Sequence, residues 1–127
     1  MAVAVQEPIT SVDLVTEAVL GNYRARIEDA TEMTLAEVLG APNPAGAARV
    51  VVVPKLRIVE IMLDDESHPD ALANVAWTLD DRSWKLNVVL PLERLGEAHI
   101  ALRGTPSTLQ GWWYEDDAVH FAGFERP

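Results

Sequence analysis

The stretch Ala73-Asn-Val-Ala-Trp-Thr-Leu79, followed through Asp80-Asp-Arg-Ser83 by Trp84-Lys-Leu-Asn-Val-Val-Leu90, decides how the fold is read. Written as a hairpin, it sets Leu79 opposite Trp84, Trp77 opposite Leu86, Val75 opposite Val88 and Ala73 opposite Leu90. Those side chains then share one face, while Thr78 beside Lys85 and Ala76 beside Asn87 form a face that water tolerates. A slip of one residue destroys the sorting. A competing pattern runs through the same residues: Ser67-His-Pro-Asp70 has the composition of a helix start, and Leu72, Val75, Ala76 and Leu79 make a helical stripe. The hairpin is preferred because its cross-strand agreement involves more residues, and it makes the sheet antiparallel.

Downstream, Leu109–Glu115 and Ala118–Glu125 pair through a turn at Asp116-Asp117. This register places Tyr114 opposite Val119 and Trp112 opposite Phe121 on one face, and Trp113 opposite His120 on the other. Gly104–Thr108 has loop composition, which leaves Glu97–Arg103 as a strand with Ala98, Ile100 and Leu102 inward and Pro91–Gly96 as a single turn. Upstream, Val50–Val53 and Leu56–Leu63 are strands separated by a bulge or bend at Pro54. These two segments are apolar on both faces, as Ile58 and Met62 point away from Val59, Ile61 and Leu63, so they need a cover on each side.

That cover is sought in the N-terminal segment. Residues 1–10 read as a short arm. From Ser11, a plausible N-cap, Val12, Val15, Val19, Tyr23, Ile27 and Ala30 form one apolar stripe, with Asp13 and Glu17 suited to the positive end of the helix dipole. Gly21 and Asn22 suggest a break or bend within it. A second short helix is expected over Thr34–Leu39, stopped by Gly40, and Ala41–Ala48, with two prolines, is a connector. The expected architecture is a single α+β domain. One or two N-terminal helices (residues 1–40) pack on a curved antiparallel sheet or partly open barrel of six to seven strands (residues 49–127).

Composition narrows the function classes. The 127 residues carry a formal charge of −10, which repels nucleic acid and anionic membranes and favours a basic partner or a cation. There is no cysteine, which removes disulfides, thiolate metal sites and cysteine nucleophiles. The opening residues lack the pattern of a signal peptide, and no apolar run approaches bilayer length, so a cytoplasmic location is expected. No nucleophile elbow, phosphate-binding loop or close histidine pair is present, and no cofactor or metal is expected. The triplet His68-Pro69-Asp70 resembles the tripeptide of J-domain co-chaperones over those three residues alone. An acidic run precedes it where that family carries basic residues, so no function is carried over.

Two groups of residues stand out as candidate binding elements. Carboxylates gather at Asp64-Asp65-Glu66, Asp80-Asp81 and Glu115-Asp116-Asp117. Ordinary turn chemistry accounts for them, but in a meander the first and third share one end and make an acidic rim. The second group is aromatic: Trp113, with His99, His120 and Arg103, falls on the more polar sheet face. Together these point first to a non-catalytic protein-interaction module, an adaptor, inhibitor or accessory subunit, which binds a protein partner or self-associates. The alternative is a small-ligand-binding domain whose pocket lies between helix and sheet, lined by Trp113, His99 and His120. A third is a small hydrolase- or isomerase-like enzyme with His99 or His120 as general base.

Overall fold

Residues 11–26, 28–40, 49–64 and 67–127 are described by the computed structural model. The expected arm at 1–10, the connector at 41–48, Ile27, Asp65 and Glu66 lie outside them.

Ser11–Ala25 forms helix α1 because Val15, Val19, Leu20 and Tyr23 recur at three- and four-residue steps and are all buried. Gly21 and Asn22 are exposed on it, and the expected break does not occur. A glycine there costs about 1 kcal/mol, whereas each buried apolar side chain contributes up to about 1.5–3 kcal/mol. Thr31–Met33 follows as a short strand, β1, which no alternating pattern announces. Leu35–Leu39 is helix α2, one residue shorter than expected because Thr34 is its cap. The Thr34 hydroxyl accepts from the Glu37 N–H, the Glu37 side chain answers to the Thr34 N–H, and Gly40 closes the helix at φ 68°.

Strands β2 (Arg49–Val53) and β3 (Ile58–Met62) are antiparallel neighbours joined by a 3₁₀ turn at Pro54–Leu56, with Arg57 left-handed at φ 56°. Pro54 therefore opens a full chain reversal where a bulge or bend was expected. Beyond β3 come helix α3 (Ala73–Asp81), strand β4 (Lys85–Pro91), helix α4 (Leu95–Ala101), and strands β5 (Ser107–Glu115) and β6 (Ala118–Glu125). The six strands form one open sheet in sequence order. The α+β class is as expected, with the sheet mixed: β3, β4 and β5 run parallel, and the other pairings are antiparallel.

The parallel pairs correct two expectations. Ala73–Leu79 is not a strand paired with Trp84–Leu90, and Glu97–Arg103 is not a strand; parallel neighbours need crossovers, and α3 and α4 supply them. The helical stripe Leu72, Val75, Ala76 and Leu79 is buried throughout, while Trp77, placed in the core by the hairpin, is 51% exposed. On α4, Ala98 is buried together with Leu102 just beyond its end, while Ile100, expected inward, is 73% exposed. Trp84 is half-buried at the edge of the core, under the Arg57 guanidinium 4.2 Å from its ring centroid. The last hairpin has the expected register, Tyr114 to Val119, Trp112 to Phe121 and Trp113 to His120.

The core has two halves. Val50, Val52, Val59, Ile61, Leu86, Val88, Leu90 and Leu109 pack with residues of α2, α3 and α4 on one face of the sheet. Val51, Val53, Met62, Val89 and Trp112 pack with α1 on the other. No helix among the described residues is long and apolar enough to cross a membrane.

Strand β5 passes close to the start of α4 at Gly111, where an added Cβ would lie 2.7 Å from Leu92 Cδ1, 2.9 Å from Leu95 Cδ1 and 3.2 Å from Leu92 Cα. The leucine tips can rotate, but the Leu92 backbone must shift. Gly111→Ala is therefore expected to destabilise the domain by about 1–3 kcal/mol, measured as a lower urea midpoint with an unchanged m-value; a neutral result would show that this contact yields freely.

Candidate functional site

Strand β3 carries a carboxylate inside the fold. Glu60 shares the α1-facing side of the sheet with Met62 and Ile58, and only 3% of it is exposed. Burying a carboxylate is costly unless its lone pairs are met, and here the neighbouring strand β4 and helix α1 supply donors to it. The registered neighbour on β4 is Asn87, whose Nδ2 donates to Glu60 Oε2 at 2.8 Å and Oε1 at 3.1 Å. Tyr23 on α1 donates its hydroxyl to Glu60 Oε1 at 3.0 Å. Thr108 on β5, in register with Asn87, donates to Asn87 Oδ1 at 2.8 Å and so fixes which way the amide faces. Gln110 accepts from Asn87 Nδ2 at 3.2 Å and donates to the Ala122 carbonyl of β6 at 3.1 Å.

Electrostatics follow from the burial. Desolvation holds the Glu60 carboxyl above the ordinary carboxylate range, although the hydrogen bonds from Asn87 and Tyr23 pull the other way. Burial also raises the Tyr23 phenol, as does the adjoining Glu60 charge, so this hydroxyl stays a neutral donor.

The network floors a groove. A cavity of about 380 Å³ is lined by Val19, Asn22, Tyr23, Arg26, Glu60, Gln110, Phe121 and Phe124. A second, of about 400 Å³, is lined by Tyr23, Glu60, Asn87, Thr108 and Phe124 together with Trp84, Lys85, Ser107 and Arg126, among others. Tyr23, Glu60 and Phe124 belong to both, so the two cavities meet over the buried carboxylate. Size and polarity suit a metabolite-sized molecule held by a few convergent polar groups.

The residues singled out from the sequence lie elsewhere. Trp113 and His120 stack at 5.4 Å between ring centroids and 16° between planes, with Trp113 Nε1 donating to Glu115 Oε2 at 3.1 Å and His120 Nε2 3.0 Å from the Glu115 carbonyl. His99 does not join them. It stands on α4 and pairs with Glu125 at 3.1 Å, five residues along β6 from His120, or roughly 16 Å of extended chain. Arg103 is exposed in the turn after α4, at the opposite end of β5 from Glu115. The convergence of both histidines on one face fails because Glu97–Ala101 is helical and a turn follows it. Asp116 and Asp117 occupy the left-handed turn at φ 54° and 58°, and Asp64 accepts from the Ser67 N–H and hydroxyl at 2.7 and 2.6 Å. The ends of β3 and β5 lie on the same side of the sheet because the two strands run parallel. Among the described residues, no group of three or more histidines and carboxylates is placed to hold a metal ion.

The sequence holds a signal for Glu60 in two interrupted apolar runs. Leu56-Arg-Ile-Val-Glu-Ile-Met-Leu63 has a charge in the middle of an apolar run, and Leu86-Asn-Val-Val-Leu90 has an amide in another. Set against known proteins, the chain matches no family model, no curated protein and no solved structure.

A carboxyl whose folded pKa is raised stabilises the protein most below the ordinary glutamate value and loses that contribution as pH rises through the folded value. Glu60→Gln removes this dependence. From about pH 4 upward, urea titrations should therefore show the stability difference shifting in the variant's favour until pH passes the folded value. A difference that stays flat would mean that Glu60 titrates like a solvated carboxylate.

Proposed function

We propose that this chain is a small-ligand-binding domain whose site is the groove between α1 and the sheet. The observation that carries it is the Glu60 carboxylate, buried yet lining both cavities. A charge kept only for fold specificity is best sealed away from open space, where its hydrogen bonds are complete. Here the carboxylate stands beneath a groove walled by Tyr23, Phe121, Phe124 and Trp84. This relocates the expected helix–sheet pocket from Trp113, His99 and His120 to Tyr23, Glu60, Asn87 and Gln110. Trp84 on the wall makes the site observable. In a metabolite library screened by tryptophan fluorescence and thermal shift, at least one compound should raise Tm and change the signal. That response should be lost in Glu60→Gln and its fluorescence part lost in Trp84→Phe; a silent library would count against the reading.

A second reading, an interaction module, draws support from the β5–β6 hairpin. Strand β4 ends at Pro91 opposite Trp112, so residues 113–120 project beyond it as a two-stranded arm. The arm carries the Trp113–His120 stack on one side, Tyr114, 52% exposed, on the other, and Glu115, Asp116 and Asp117 at its tip. A rigid aromatic pair beside an acidic tip suits a basic protein surface. Trp113→Ala should weaken any association seen by native mass spectrometry without altering the circular dichroism spectrum. Association unchanged in that variant would mean that contacts are made elsewhere.

A further inference from the structure

The cavity beside α1 holds opposite charges that attract each other through space without a direct ion pair. Glu60 and Arg26 both line it, yet among the described residues Arg26 forms no ion pair. Its Nε donates weakly to the Asn22 carbonyl at 3.4 Å, and its guanidinium carbon lies 4.9 Å from the Tyr23 ring centroid. Glu60 has capacity to spare: Oε1 accepts from two donors and Oε2 from one, against about four lone-pair sites on a carboxylate. Beside them stand Asn22, exposed, and an aromatic wall in which Phe121 is half-buried and Phe124 is 65% exposed. A buried acceptor, a guanidinium in no ion pair among the described residues and an aromatic wall around about 380 Å³ describe the complement of one kind of molecule.

We propose that this groove binds a small zwitterion with an aromatic or apolar side group, its ammonium on Glu60 and its carboxylate on Arg26. The inference rests on the reading of the groove as a binding site and adds the ligand's charge pattern. An ammonium donates to the unfilled lone pairs of Glu60, and a guanidinium meets a carboxylate through two parallel N–H bonds. A plain anion would meet Arg26 but face the buried carboxylate and a chain of net charge −10. A plain cation would satisfy Glu60 and leave Arg26 unmatched. The side group covers Phe121 and Phe124, which accounts for apolar surface left open to water.

Three probes separate these cases: L-phenylalanine carries both charges, phenethylamine only the ammonium and 3-phenylpropionate only the carboxylate. Calorimetric titration of the full chain should show L-phenylalanine binding about tenfold or more tightly than either of the others, since each lacks one charge-assisted contact. Arg26→Ala changes an exposed side chain and should fold normally. It should bring L-phenylalanine down to the level of phenethylamine and leave phenethylamine unchanged. Phe124→Ala, also at an exposed position, should weaken all three probes. Equal affinity for L-phenylalanine and phenethylamine, insensitive to Arg26→Ala, would overturn the zwitterion and leave an amine site. If none of the probes binds while a library compound of another charge type does, and Glu60→Gln abolishes it, the inference fails but the groove remains a binding site. Silence from both probes and library removes both.

Discussion

Strand β3 and its neighbours β2 and β4 are buried on both faces, and strands of that kind are stable only when each face is covered. The rest of the architecture follows from meeting that demand. On one side, the crossovers that allow β3, β4 and β5 to run parallel become α3 and α4, and with α2 they close the face around Val59, Ile61 and Val88. On the other side, α1 is the only described helix. A helix with its side chains is about 10–12 Å across, whereas strands are spaced about 4.8 Å apart, so one helix cannot cover a sheet of this width. The groove is where that cover runs out, and the side chains flooring it, Glu60, Asn87, Thr108 and Gln110, are polar.

That floor has a directional logic. Glu60, Asn87 and Thr108 lie in register across three parallel strands, so the hydrogen bonds run along one row. Thr108 holds the Asn87 carbonyl, which turns the amide nitrogen towards Glu60 and Gln110. Tyr23 completes the set from α1 and so ties the helix to the middle of the sheet. A network of this kind gains little net energy relative to an apolar core, because the desolvation of the charge offsets its hydrogen bonds. Its effect is specificity of geometry: Glu60 is held rigidly at the base of the groove.

Charge is distributed unevenly around this frame. The chain as a whole carries −10, and its acidic residues crowd the turns, above all at Glu115–Asp117. The groove mixes both signs, with Arg26 and Glu60 at one cavity and Lys85, Arg126, Glu60 and Asp80 at the other. None of the three cations forms an ion pair among the described residues. By contrast, Arg49 is engaged by Asp13 and Glu32 where α1 and β1 meet β2, and Arg94 by Glu97. Arg49 and Arg94 are thus paired, and the three cations facing the groove are not.

Much of the fold was legible along the chain. The stripe of α1, the glycine that stops α2, the two-faced burial of β3 and the register of the β5–β6 hairpin all follow from spacing, because each depends on residues close in sequence. Ala73–Leu79 and Glu97–Arg103 read as strands for a definite reason. Both alternation and the helical repeat put residues i and i+4 on one face, as with Val75 and Leu79 or Ala98 and Leu102, and only the residue midway separates them. In both segments that residue, Trp77 or Ile100, is large and apolar, which favours a strand, yet each is exposed on the outer side of a helix. The site was legible only as an anomaly, a glutamate within an apolar run. The sequence by itself determined the class, the elements bounded by local signals and the two-sided cover. Only the tertiary structure decided that Glu60, Asn87, Thr108, Gln110 and Tyr23 converge, because they meet through the parallel order of three strands and the placement of one helix, neither of which any local period records.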